Sequence, residues 1–138
     1  MRDFWNEASC GEDLYLKGEN EVSQFQNERK TRYELEPEIV DFADFEKAKG
    51  KTVLEVGVGL GADHQKFAEN GAILHGIDLT ERAVTHTKNR LSLFGLKSKI
   101  QVGDAENLGF ENDTFNVVYS WGVIHHSPKT EIAAKEIH

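Results

Sequence analysis

The sequence predicts an α/β fold built on a parallel sheet, and three observations predict it. Short apolar runs alternate with segments of helical periodicity along most of the 138 residues, as in strand–crossover–strand units. The run Thr52 to Ala62, T-V-L-E-V-G-V-G-L-G-A, opens as a buried strand and ends in a glycine-rich turn. The polar residues that stand out, Asp78, Asp104 and the pair His125-His126, all follow the ends of strand-like runs. In an open α/β sheet those ends lie along one edge, where ligands bind.

Taken in order, residues 1 to about 34 are polar and weakly periodic. Phe4, Trp5, Leu14, Tyr15, Leu16, Val22, Phe25 and Tyr33 are scattered anchors, which predicts short helices and loops wrapping the following domain. Pro37 suits a helix start, with Glu36 and Glu38 at its positive end. Ile39, Phe42, Ala43 and Phe45 give that helix an apolar face, and Lys47, Lys49 and Gly50 close it. The organisation expected is a helical wrap over 1–46 and a ligand-binding domain over 47–138.

Val53, Leu54 and Val56 form an apolar, β-branched run suited to a strand covered on both faces. Gly57, Gly59 and Gly61 follow at alternate positions. The spacing predicts a short helix from about Ala62 to Asn70, ended by Gly71, then a second strand over 72–77 with Asp78 at its carboxyl end. Thr80 is a good N-cap, with Glu81 in the first turn. Val84, Thr87, Leu91 and Phe94 repeat at helical spacing, and Gly95 ends that helix. A third strand is predicted over 99–102, leading to Gly103-Asp104. Glu111-Asn112-Asp113 reads as a turn, residues 115–120 as a fourth strand, and Pro128 as the start of a last helix carrying Ile132, Ala133 and Ile137.

The glycine turn carries the chemistry. Without a Cβ, its backbone can lie against a ligand, and the helix that follows offers free N–H groups. Gly57-x-Gly59-x-x-Ala62 fits a dinucleotide fingerprint, with Asp78 about 20 residues on where a ribose-binding acid is expected. A tight turn without a ligand would show the same residues, so the turn alone leaves the cofactor open.

Composition narrows the partners. A hydrophobic fraction of 38%, a charged fraction of 29% and a net charge of -8 describe a soluble globular chain and weigh against a nucleic-acid partner. Cys10 is the only cysteine, which predicts a reducing, cytoplasmic setting. The start M-R-D-F-W-N-E lacks the apolar core of a signal peptide, and no apolar run reaches the length of a membrane span. Adjacent histidines without a carboxylate or cysteine at ligand spacing make a poor metal motif, so no metal is expected.

Four stretches together resemble the class I S-adenosylmethionine-dependent methyltransferases, in the branch that methylates small molecules. They are V-L-E-V-G-V-G-L-G at 53–61, H-G-I-D-L-T at 75–80, V-G-D-A-E-N-L-G-F at 102–110 and F-N-V-V-Y-S-W-G-V-I-H-H at 115–126. An NAD(P)-binding oxidoreductase domain explains the first two stretches and not the last two. A catalytically silent ligand-binding or interaction module is the third alternative.

The resemblance implies a Rossmann-like parallel sheet in the order 3-2-1-4, with the chain ending in the helix after strand four. It implies S-adenosylmethionine as cofactor and a small-molecule methyl acceptor. Glu55 would orient the turn and face the methionine amine. Gly57, Gly59 and Gly61 would lie against the amino-acid and ribose parts. Asp78, followed by Leu79, would accept from both ribose hydroxyls, and Asp104 from the adenine amino group. Ala105 and Glu106 would flank the ring, and Ser120 and Trp121 would lie near the ligand. The residues themselves, apart from the resemblance, suit His125 or His126 as base on the acceptor, with polar packing as the alternative. A rim of carboxylates and aromatics suits a sulfonium and an ammonium. Methyl transfer is an in-line displacement, for which proximity and orientation supply about 7–11 kcal/mol of the barrier. Asp78 and Asp104 also suit turn caps, and Trp121 and Tyr33 also suit packing. The fourth strand, left at a sheet edge, predicts self-association as a homodimer.

Overall fold

A computed structural model describes residues 20–108, 110 and 114–121. Helix α1 spans Glu21–Leu35, and the Asn20 side chain accepts from the Ser23 N–H at 2.9 Å to cap it. One helix of 15 residues thus stands where short helices and loops were expected. The reason is chemical. Only Phe25 and Glu28 of α1 are buried, so the helix docks by charge and shows no apolar stripe to read.

Helix α2 spans Glu38–Ala43 and is followed by a 3-10 helix over Phe45–Ala48. The sequence predicts one continuous helix here. It breaks at Asp44, which adopts a left-handed conformation with φ 49°. The break turns Phe45 into the core, edge-on to Phe67 with 4.7 Å between ring centroids, and leaves Phe42 64% exposed.

The sheet contains β1 (Thr52–Val56), β2 (Ile73–Asp78), β3 (Lys99–Val102) and β4 (Val117–Tyr119). All pairings are parallel, in the order β3-β2-β1-β4. Helix α3 (Ala62–Glu69) crosses from β1 to β2, and α4 (Glu81–Leu93) from β2 to β3. Thr80 caps α4 through its side chain, as its position predicts. Strand β4 is shorter than the run 115–120. The Asn116 N–H donates to the Thr52 carbonyl at 2.9 Å, and its side chain accepts from the Thr52 N–H and hydroxyl at 2.9 and 3.0 Å.

Side-chain alternation divides the core. Val53 and Leu74 pack with Ile39, Phe45, Ala48, Phe67 and Tyr119. Leu54, Val56 and Ile77 turn the other way, against Ala105, Leu108, Phe110, Phe115 and Val118. Below α4, Val58, Val84, Leu91 and Ile100 close a third cluster. Among the described residues no helix is long and apolar enough to cross a membrane.

Candidate functional site

The carboxyl ends of β1, β2 and β4 bring most of the expected site residues to one edge. After β1 the chain turns through Gly57, Gly59 and Gly61, with φ of 86°, 56° and 90°. These left-handed angles are what glycine supplies without steric cost. The Gly57 N–H donates to the Ile77 carbonyl at 2.8 Å, and the Gly61 N–H to the Val58 carbonyl at 2.9 Å. From below, Thr87 donates to the Gly59 carbonyl and Arg90 to the Leu60 carbonyl, both at 3.2 Å. Helix α4 therefore holds the turn by its carbonyls. Above Gly59 the space is open: a Cβ placed there meets nothing within 4 Å.

Asp78 is bound into the same turn. Its Oδ2 accepts from the Gly59 N–H at 3.0 Å, and its Oδ1 from the Thr80 N–H at 3.1 Å. Burial raises its pKa, while the N–H groups of Gly59 and Thr80 act against that rise. Asp78 thus plays the turn-capping part that its position also suits. Oδ1 also accepts from the Thr80 hydroxyl at 3.4 Å, which leaves Oδ2 as the oxygen with acceptor capacity to spare. Leu79 follows, half-buried.

Glu55 lies at 3% exposure in the middle of the sheet, and its Oε2 meets His64 Nδ1 at 2.9 Å. His64 Nε2 meets Ser98 Oγ at 2.8 Å, and that hydroxyl donates to the Leu74 carbonyl at 2.9 Å. Glycine at 76 makes room for the imidazole: a Cβ there would come within 2.7 Å of His64 Cε1. The partner this geometry gives Glu55 is a histidine of α3.

Past β3, the Glu106 N–H donates to Asp104 Oδ1 at 2.9 Å, and the Asn107 N–H to the Asp104 carbonyl. Asp104 is exposed at the head of a turn, and Ala105 packs under it against the Leu54 cluster. Past β4, Ser120 Oγ is buried with no hydrogen-bond partner among the described residues. Trp121 Nε1 donates to Glu36 Oε1 at 3.2 Å. His125 and His126 lie outside the described residues. No group of His, Cys, Asp and Glu side chains among those described could hold a metal ion.

Asp63, His64, Thr87 and Arg90 support the site and were not legible as functional residues. Only Asp63 left a signal, as an acid two places after the last turn glycine.

Residues 53–138 match the methyltransferase domain family. Phosphoethanolamine N-methyltransferase 2 of Caenorhabditis elegans is 35% identical over 95 residues, covering 67% of this chain and 21% of that protein. Ubiquinone biosynthesis O-methyltransferase of Coxiella burnetii is 28% identical over 127 residues, covering 92% of this chain and 47% of the relative. The chain therefore spans from a fifth to about half the length of these curated relatives. Magnesium protoporphyrin IX methyltransferase from Synechocystis PCC 6803, solved with bound SAM, shares the fold at a TM-score of 0.70 and 18% identity, over 99% of this chain and 67% of that one.

Proposed function

The chain belongs to the class I S-adenosylmethionine-dependent methyltransferases, and from that premise we propose that its glycine turn cradles S-adenosylmethionine for methyl transfer to a small molecule. One observation carries the proposal: three left-handed glycines leave open space above Gly59 while Asp78 braces the turn from the next strand. The buried Ser120 Oγ after β4, without a hydrogen-bond partner among the described residues, is a second feature that suits a polar ligand there.

When bound, the cofactor supplies a methyl group on a positively charged sulfur. The chain's own residues bind and orient. The turn backbone at Gly57, Gly59 and Gly61 would lie against the amino-acid and ribose parts. Asp78 would accept from the ribose hydroxyls, chiefly through Oδ2, which its partners leave less occupied than Oδ1. Asp104, exposed at the head of its turn, would take the adenine amino group beside Ala105 and Glu106. Ser120 would gain a partner, which it lacks among the described residues. Glu55 acts from beneath, by fixing α3 through His64. His125 or His126 would take the proton of an acceptor that must lose one. The acceptor-selecting surface would lie where α1, α2 and Trp121 meet, which the Trp121–Glu36 bond and the Phe42–Trp121 ring contact support. A cytoplasmic setting is proposed on the single cysteine.

Calorimetric titration of the full chain tests the proposal. S-adenosylmethionine and S-adenosylhomocysteine are expected to bind, and NAD is not. Binding of NAD with indifference to both sulfur ligands would overturn it in favour of an oxidoreductase domain.

A further inference from the structure

Asp63 stands in the first turn of α3, two residues after Gly61. An acid there ordinarily serves its own helix dipole. This one is 3% exposed and is occupied by other elements. Its Oδ1 accepts from Arg32 Nε at 3.1 Å and from the Tyr33 hydroxyl at 2.8 Å. Its Oδ2 accepts from Arg32 Nη2 and from the Tyr119 hydroxyl, both at 2.9 Å. Three of these donors, from two residues, come from α1, and one comes from the last residue of β4.

The network continues. Arg32 lies 3.7 Å from Glu36, which accepts from Trp121 Nε1. Ser120, whose hydroxyl has no partner among the described residues, is thus flanked by two residues tied to the same network, Tyr119 and Trp121. On the other side, the Gly61 carbonyl accepts from the Gln65 N–H at 2.9 Å, so the turn moves with the first coil of α3. One carboxylate joins the glycine turn to the segment that carries Ser120.

We propose that Asp63 is a positioning residue that sets the glycine turn and Ser120 at a fixed separation, through Arg32, Tyr33 and Tyr119. It rests on the cradle reading above. It also makes α1 a working part of the cradle, since two of the three residues bonded to Asp63 belong to that helix.

The same two helices carry an internal control. Arg29 of α1 bonds Glu69 at the other end of α3 at 2.6 and 3.1 Å, away from the turn. The variants are Tyr33→Phe and Tyr119→Phe, each deleting one hydroxyl, with Asp63→Asn as a stronger change and Glu69→Gln as the control. Two readouts apply to each full chain: amide exchange across 57–62, which needs no ligand, and the Kd for S-adenosylhomocysteine. The hub variants are expected to speed exchange at the turn and to weaken binding about ten- to a hundredfold, as for loss of one hydrogen bond to a charged group. Glu69→Gln is expected to leave both within about twofold, as for a surface pair. Equal effects in hub and control variants, or unchanged turn exchange in the hub variants, would overturn the proposal. If the wild-type chain binds no S-adenosylhomocysteine, the cradle reading fails and turn exchange alone still decides the role of Asp63.

Discussion

Gly59 and Gly61 share a backbone sign and differ in what surrounds them, and the difference separates binding from stability. At Gly59 a Cβ meets open space and φ is 56°, close to the ideal left-handed value. Gly59→Ala should therefore cost about 1–2 kcal/mol of stability while placing a methyl group where a ligand must lie. Calorimetry should show a loss of cofactor affinity larger than the loss of stability. At Gly61 a Cβ would come within 2.9 Å of Thr87 Oγ1 and 3.1 Å of its Cγ2, at φ 90°. Gly61→Ala should cost more, about 2–4 kcal/mol by strain and overpacking together, read as a lower urea midpoint. Asp78→Ala should weaken cofactor binding by about 1–3 kcal/mol, through lost acceptors and an unpaired Gly59 N–H. Titration of that variant checks it, and unchanged affinity would reduce Asp78 to a turn cap. These turn residues were legible because glycine spacing and a strand-end acid are local signals. Glycine at 76 was not, because its cause is His64, brought against it only by the fold.

At the scale of elements, the strands and the helices between them could be read because each carries its own apolar pattern. Helix α1 could not, because its docking is electrostatic and long-range. Arg90 of α4 is fully buried. It donates to Glu28 Oε1 at 2.8 Å, to Gln65 Oε1 at 2.6 Å, and to the carbonyls of Leu60 and Phe25. Its guanidinium also lies 5.0 Å from the centre of the Phe25 ring. Burial raises the Glu28 pKa and the charge of Arg90 opposes that rise, while Glu28 Oε2 has no partner among the described residues. Breaking such a pair is worse than never having built it. Arg90→Ala should destabilise the protein by about 3–5 kcal/mol. Because the same arginine ties α1 to the turn carbonyl of Leu60, α1 should exchange its amides faster than the sheet does in that variant. Hydrogen exchange by mass spectrometry checks this. Uniform loss across the sheet and α1 would mean that α1 is no separate unit. The break at Asp44 was equally invisible, since nothing local distinguishes it from a continuing helix.

At the scale of the whole molecule, one buried proton should shape stability against pH. The Ser98 hydroxyl donates to the Leu74 carbonyl, so His64 Nε2–H donates to Ser98 and leaves Nδ1 facing Glu55 Oε2 at 2.9 Å. A contact that short between a bare nitrogen and a carboxyl oxygen needs a proton. Burial, then the charges of Asp63 and Asp78, raise the Glu55 pKa well above its ordinary 4.5, with Arg32 opposing. Burial first, and His75 after it, lower that of His64 to about 3, with Asp63 opposing. The proton therefore sits on Glu55 and is donated to a neutral imidazole. In the unfolded chain Glu55 releases that proton above its ordinary 4.5. Above that pH the native state binds one proton more at this position than the unfolded state does, so its contribution to stability falls as pH rises. Glu55→Gln preserves a donor toward Nδ1 and removes the titration. Relative to that variant, wild type should lose about 1.4 kcal/mol per pH unit from near pH 4.5 upward, until Glu55 ionises in the native state. Urea denaturation of both chains at a series of pH values measures the difference. A flat difference would place the ring proton on Nδ1 beside an ionised Glu55, with the Ser98 hydroxyl turned toward Nε2. The nitrogen-15 shifts of His64 would then report the reversed tautomer.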